Sequence, residues 1–148
     1  MEAANRNPMH RQLPVVLYVD DNLRSSRFLT TVLEECGFDV ITANDPIEAL
    51  AVCRNYPIDL ALLDYDMPVM TGSQLAEELK FLVPDVPVVL LAGHASVSQS
   101  ELVFVDGYFG PNTTLDDPDD LIENLRTLVA ADTKGTVARL RTSWSDAT

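Results

Sequence analysis

Basic residues are scarce in this 148-residue chain: ten Lys and Arg stand against 23 Asp and Glu, for a formal net charge of −13. Binding to a phosphate backbone rewards Lys and Arg, so a surface this acidic argues against nucleic acid as a partner. It points instead to proteins, cations or small molecules. The imbalance lies within residues 15–131, where five Lys and Arg face 20 Asp and Glu. Cysteine is scarce too. Cys36 and Cys53 are too few for a disulfide scaffold, and each falls in an apolar helical pattern that suits a small buried side chain. Residues 1–13 lack the apolar core of a secretory signal. No apolar run approaches the length needed to span a bilayer, so the expected location is the cytoplasm, away from any membrane. No internal repeat is visible.

What the chain does have is 47% hydrophobic residues, in short runs that alternate with amphipathic stretches. Residues 15–19 (VVLYV), 38–42 (FDVIT), 60–64 (LALLD), 86–91 (VPVVLL) and the pair Tyr108-Phe109 read as strands. The run at 60–64 is apolar without alternation, as in a strand buried on both faces. Helices are expected between them. The first runs from Leu23 to Cys36, capped by Asn22 and stopped at Gly37, with Phe28, Leu29, Val32, Leu33 and Cys36 inward. A second starts at Pro46 behind Asn44 or Asp45 and carries Ile47, Ala49, Leu50 and Cys53. A third is announced by the capping-box spacing of Thr71 and Gln74 and runs to about Leu82, with Leu75, Leu79 and Leu82 inward. The pattern blurs over 92–112, where 96–105 has room for a short helix. An acidic start at 116–120 opens a last helix with Leu121, Leu125, Leu128 and Val129 inward. Strand and helix alternate five times with short connections, which requires an α/β domain of three layers: a five-stranded parallel sheet, doubly wound, covered on both faces. The expected division is 1–13 as an N-terminal segment, 14–131 as the domain and 132–148 as a polar tail.

The chemistry gathers at the strand ends. Asp64 closes the most apolar strand, and Asp20-Asp21 close the first. Asp is common in Asx-turns and at helix caps, and either role would account for one of these residues alone. In a parallel sheet, however, the carboxyl ends of neighbouring strands form the ligand crevice, so all three acids converge. Three like charges share a small site only if a cation joins them or protons neutralise them. Oxygen-only ligands in an incomplete cage suit Mg²⁺. A carboxylate beside that ion is a candidate phosphoryl acceptor.

The segments VLYVDDN at 16–22, PIDLALLDYDMPVMTG at 57–72 and VPVVLLAG at 86–93 resemble a response-regulator receiver domain of two-component signalling. That resemblance implies the flavodoxin-like receiver fold. It makes Asp64 the phospho-acceptor, Asp20 and Asp21 the metal-holding acids and Asp66 the donor of a backbone carbonyl to the metal. Met67, Pro68 and Gly72 would shape the loop beyond the acceptor, and Asp66 and His94 would tune access of water to it. The expected phosphoryl donor is a histidine kinase or phosphotransfer protein. The expected output is contact with a further protein, and a homodimer is compatible. The second half departs from the family. Ala92 stands where receivers carry Ser or Thr, and Gly110 precedes Pro111 where they carry Lys. No Lys lies between Lys80 and Lys134. Tyr108 is the candidate switch aromatic, and Ser96, Ser98 or Thr113 are the candidate replacement hydroxyls.

Three functions follow. The first is a non-enzymatic, stand-alone receiver; the second is a module of the same fold that binds its partner without phosphorylation. The third, from another class, is a phosphatase of haloacid-dehalogenase type, suggested by Asp64-Tyr65-Asp66. Pro68 stands where that family needs Thr or Val, and the required downstream Lys is missing.

Overall fold

Alternating strands and helices build one parallel sheet with a helical layer on each face. The computed structural model describes residues 13–93, 97–110 and 118–130. In chain order the elements are β1 (Val15–Val19), α1 (Leu23–Glu35), β2 (Asp39–Ala43), α2 (Pro46–Asn55), β3 (Leu60–Asp64), α3 (Gly72–Leu82), β4 (Val88–Leu91), a 3₁₀ turn (Gln99–Leu102), β5 (Gly107–Phe109) and α4 (Asp119–Ala130). The sheet order is β2-β1-β3-β4-β5. Every pairing is parallel.

Successive strand residues point to opposite faces, and the two cores follow. Val16, Tyr18, Leu60 and Leu62 face α1 and α4, meeting Leu29, Leu33, Leu121 and Leu125. Leu17, Val19, Ala61 and Leu63 face α2 and α3, meeting Ala49, Cys53, Leu75 and Leu79. β3 is buried over its first four residues, so its terminal Asp64 emerges at the rim of a dry layer.

The helix starts obey local chemistry. The Asn22 side chain accepts from the amides of Arg24 and Ser25, Asp45 accepts from Glu48 with Pro46 at the first helical position, and Thr71 and Gln74 form the full capping box. Gly37 takes a φ of 99° beyond the end of α1, a left-handed conformation that suits glycine.

Several expectations need correction. Phe28 is 48% exposed and Ile47 72% exposed, so neither belongs to the core. The inner face of α1 is centred on Ser26, Leu29 and Leu33, and that of α2 on Pro46, Ala49 and Cys53. Each misplaced residue neighbours a buried one and is rotated some 100° from it by the helical period. β2 begins at Asp39, leaving Phe38 buried in the preceding turn, and β4 begins at Val88, after Pro87. The blurred region yields four residues of 3₁₀ turn and a three-residue strand. The segments 1–12 and 132–148, and the acidic pair Asp116-Asp117, lie outside the described residues.

Candidate metal centre at the strand ends

β1 and β3 are neighbours, with Val19 in register with Leu63. The residues that follow, Asp20 and Asp64, are therefore brought side by side. Carboxylate oxygens of Asp20, Asp21 and Asp64 all lie within 4.8 Å of one another. The three differ in setting: Asp20 is buried at 5% exposure, Asp64 is half-buried and Asp21 is exposed.

Capping does not account for the pair. The cap of α1 is Asn22, and Asp20 sits two residues earlier, its Oδ1 accepting from the Asn22 amide at 2.9 Å. The Asp20 amide in turn donates to the Ala43 carbonyl at 3.1 Å, tying it to the end of β2. A contact missed by sequence reasoning comes from β1 itself: the buried Tyr18 hydroxyl donates to Asp20 Oδ2 at 2.7 Å. The only signal for it was a hydroxyl in an otherwise aliphatic strand, two residues before the acid.

The electrostatics follow from crowding. Burial, and then the charges of Asp20, Asp21 and Asp66, push the Asp64 carboxyl up to about 7, while the Asp66 backbone amide, donating to it, works the other way. Burial also raises Asp20, against the opposing pull of its Asn22 and Tyr18 hydrogen bonds. Burial, with Asp20 beside it, holds the Tyr18 hydroxyl far above its usual range, so it remains a donor. Two crowded carboxyls, Asp20 and Asp64, that resist losing their protons, with a third carboxyl beside them, have the chemistry of a site for a hard divalent cation, whose charge replaces the protons. The donors present fit Mg²⁺.

The loop past Asp64 is held tightly. The Tyr65 amide donates to the Leu91 carbonyl and the Gly72 amide to the Tyr65 carbonyl, both at 2.8 Å. A Cβ on Gly72 would fall 2.5 Å from the Asp64 carbonyl oxygen and 2.6 Å from Leu90 Cδ1. Only glycine fits there. Between them Met70 donates to the Pro68 carbonyl across Val69, whose φ of 78° matches a strained γ-turn. Met67 packs partly buried against the α2–α3 core, and Asp66 stands at the mouth.

Among the described residues, the second half of the site is bare. Ala92 is buried at the end of β4 and brings no hydroxyl. Gly110 follows β5 without a side chain, and the Tyr108 hydroxyl sits 2.7 Å from where its Cβ would be. Lys80 does not compensate: it pairs with Asp106 and donates to the Val86 carbonyl, at the opposite end of the strands. Ser98 is engaged with Glu101 in its own turn. Glu101 also accepts from the Tyr65 hydroxyl at 2.6 Å, a second contact the sequence did not announce. His94, Ser96, Pro111 and Thr113 lie outside the described residues.

The family model for the response regulator receiver domain matches residues 16–110. The chain belongs to the response-regulator receiver family. Receiver domains are signalling modules of two-component systems rather than typical enzymes, and the five-stranded sheet observed here is their CheY-like fold. Over 109 residues the chain is 31% identical to the autoinducer 1 sensor kinase/phosphatase LuxN of Vibrio campbellii. That match covers 72% of this chain and only 13% of LuxN. Among solved structures it resembles the response regulator TrrA of Thermotoga maritima in complex with Mg²⁺-BeF, with a TM-score of 0.72 and 27% identity, covering 78% of this chain and 99% of that one. TrrA bound to the histidine kinase ThkA matches equally well, with a TM-score of 0.72, 28% identity and coverage of 80% and 100%. The acid cluster is consistent with the Mg²⁺ binding of such a pocket.

Proposed function

We propose that this receiver accepts a phosphoryl group on Asp64 from the phosphohistidine of a histidine kinase or phosphotransfer protein. The supporting observation is the convergence of Asp20, Asp21 and Asp64 within 4.8 Å at the ends of adjacent strands. In the step, an Asp64 carboxylate oxygen attacks phosphorus, the P–N bond to histidine breaks and an acyl phosphate forms. The attacking carboxylate must be unprotonated, and its raised proton affinity works against this at neutral pH. Bound Mg²⁺ supplies the positive charge that displaces the proton and shields the phosphoryl oxygens. Asp20, Asp21 and Asp64, with the Asp66 backbone carbonyl, would hold it. Gly72 keeps the backbone behind Asp64 in place. The domain, taken as 14–131, would act in the cytoplasm as a switch whose output is contact with another protein. The Asp66 carboxylate at the mouth would tune the access of water to the acyl phosphate, a role the family resemblance also gives to His94.

A second reading is favoured by Ala92 and Gly110: the fold binds its partner without phosphorylation, because two groups that would compensate the phosphoryl charge are missing. Each such charge-assisted bond is worth about 1.5–3 kcal/mol. Incubation of the full chain with phosphoramidate and Mg²⁺ tests the first reading, which expects an adduct of about 80 Da that Asp64→Ala abolishes. No adduct, together with no spectral change at 92–110 on adding beryllofluoride and Mg²⁺, would leave the second.

A further inference from the structure

Tyr18 breaks the aliphatic run of β1, and its side chain is buried to 1% exposure. It lies two residues before Asp20, hence on the same side of the strand line. Its body packs with Val16, Leu29, Leu33 and Leu62, a setting that a phenylalanine would fill equally well. The hydroxyl is what differs. Burying one without a partner costs free energy, and the partner here is a carboxylate of the proposed cation site, at 2.7 Å. The other Asp20 oxygen is held by the Asn22 amide, and the Asp20 backbone by Ala43.

We propose that Tyr18 is a positioning residue for the cation site, orienting Asp20 so that its remaining lone pairs face the space shared with Asp21 and Asp64. The inference rests on the reading of that cluster as a divalent-cation site. An ionised carboxylate has about four lone-pair sites. Two are taken by donors on the protein side, one from the buried strand and one from the first turn of α1. A carboxyl torsion is otherwise broad and soft, and two opposed donors remove that freedom before the cation arrives. Asp20 is thus a pre-set ligand, acting on the cation or on its bound water, whereas exposed Asp21 must be ordered on binding. Hydrogen bonds to metal ligands routinely govern affinity in this way.

The test is a calorimetric Mg²⁺ titration of the full chain as wild type, Tyr18→Phe, Asp20→Asn and the double variant. Tyr18→Phe is expected to weaken Mg²⁺ about tenfold, and to have almost no further effect once Asp20 is Asn. Leu62→Ala, in the same apolar cluster, is expected to lower the unfolding midpoint while leaving Mg²⁺ affinity unchanged. Unchanged affinity in Tyr18→Phe, or losses that simply add in the double variant, would overturn the proposal. Should Tyr18→Phe not fold, the wild type still decides: a slowly exchanging Tyr18 hydroxyl proton that persists at saturating Mg²⁺ supports it, and one lost on adding Mg²⁺ overturns it. A wild type that binds no Mg²⁺ defeats the cation-site reading itself, a result distinct from normal binding by Tyr18→Phe.

Discussion

The Tyr65 hydroxyl donates to Glu101 at 2.6 Å, joining the residue after Asp64 to a 3₁₀ turn 36 positions further on. The same carboxylate accepts from the Ser98 amide and hydroxyl. The turn that bridges β4 and β5 is therefore tethered to the loop of the proposed acceptor. Tyr65→Phe is expected to speed amide exchange over 98–102 several-fold while changing global stability by less than about 1 kcal/mol, because both groups are near the surface. Hydrogen exchange by mass spectrometry reads this, and protection equal to wild type would refute the tether.

Gly72 makes the second prediction. A Cβ there would strike the Asp64 carbonyl and Leu90, while one on Gly93 meets nothing within 4 Å. Gly72→Ala should cost about 1–3 kcal/mol, as overpacking does, and weaken Mg²⁺ by moving Asp64. Gly93→Ala should do neither. Urea unfolding of the two variants side by side gives the comparison, and equal costs would contradict it.

The pH dependence follows from Asp64, held at about 7 by burial and by the charges of Asp20, Asp21 and Asp66. A carboxyl raised on folding contributes stability that is complete below the ordinary carboxylate range and is lost as pH rises through about 7. Without divalent cations, this group should make the chain less stable at pH 8 than at pH 5. Mg²⁺ competes with the proton, so its stabilisation should grow between pH 5.5 and 8. Asp66→Asn removes one of the charges that raise Asp64 and should shift that rise to lower pH. Denaturant titrations at several pH values, with and without 10 mM Mg²⁺ (about that level, for saturation), measure the effect; equal Mg²⁺ stabilisation at both ends would contradict it.

Restoring the family's missing groups gives the fourth prediction. Ala92→Ser places a hydroxyl at the end of β4 and should tighten beryllofluoride binding in the presence of Mg²⁺ by about tenfold, the value of one charge-assisted bond. Gly110→Lys alone should do less, because the Tyr108 hydroxyl lies 2.7 Å from where its Cβ must go. Gly110→Lys combined with Tyr108→Ala should recover the gain. Equal affinities in all three variants would count against the idea that these positions face the phosphoryl group.

Much of this was legible in the chain because the signals are local. Unbroken apolar runs marked β1 and β3, and Asn22, Asp45 and the Thr71–Gln74 pair set the helix starts by side-chain chemistry. The convergence of Asp20, Asp21 and Asp64 needed only the adjacency of β1 and β3. Phe28 and Ile47 were misplaced because hydrophobicity says a residue prefers burial, whereas the angle of the helix decides whether it gets it. Residues 97–110 gave no period, since a four-residue 3₁₀ turn and a three-residue strand are shorter than the pattern needed to identify them. The Tyr18–Asp20 and Tyr65–Glu101 bonds depend on rotamers and on the register of distant segments, which spacing alone does not fix.

The most direct measurement of the central claim is the stoichiometry of Mg²⁺ binding to wild type and to Asp20→Asn, Asp21→Asn and Asp64→Asn. One ion per chain, weakened by each of the three substitutions, is the predicted result. No binding by wild type, or binding indifferent to Asp64, would contradict a centre in which these carboxylates share a single cation.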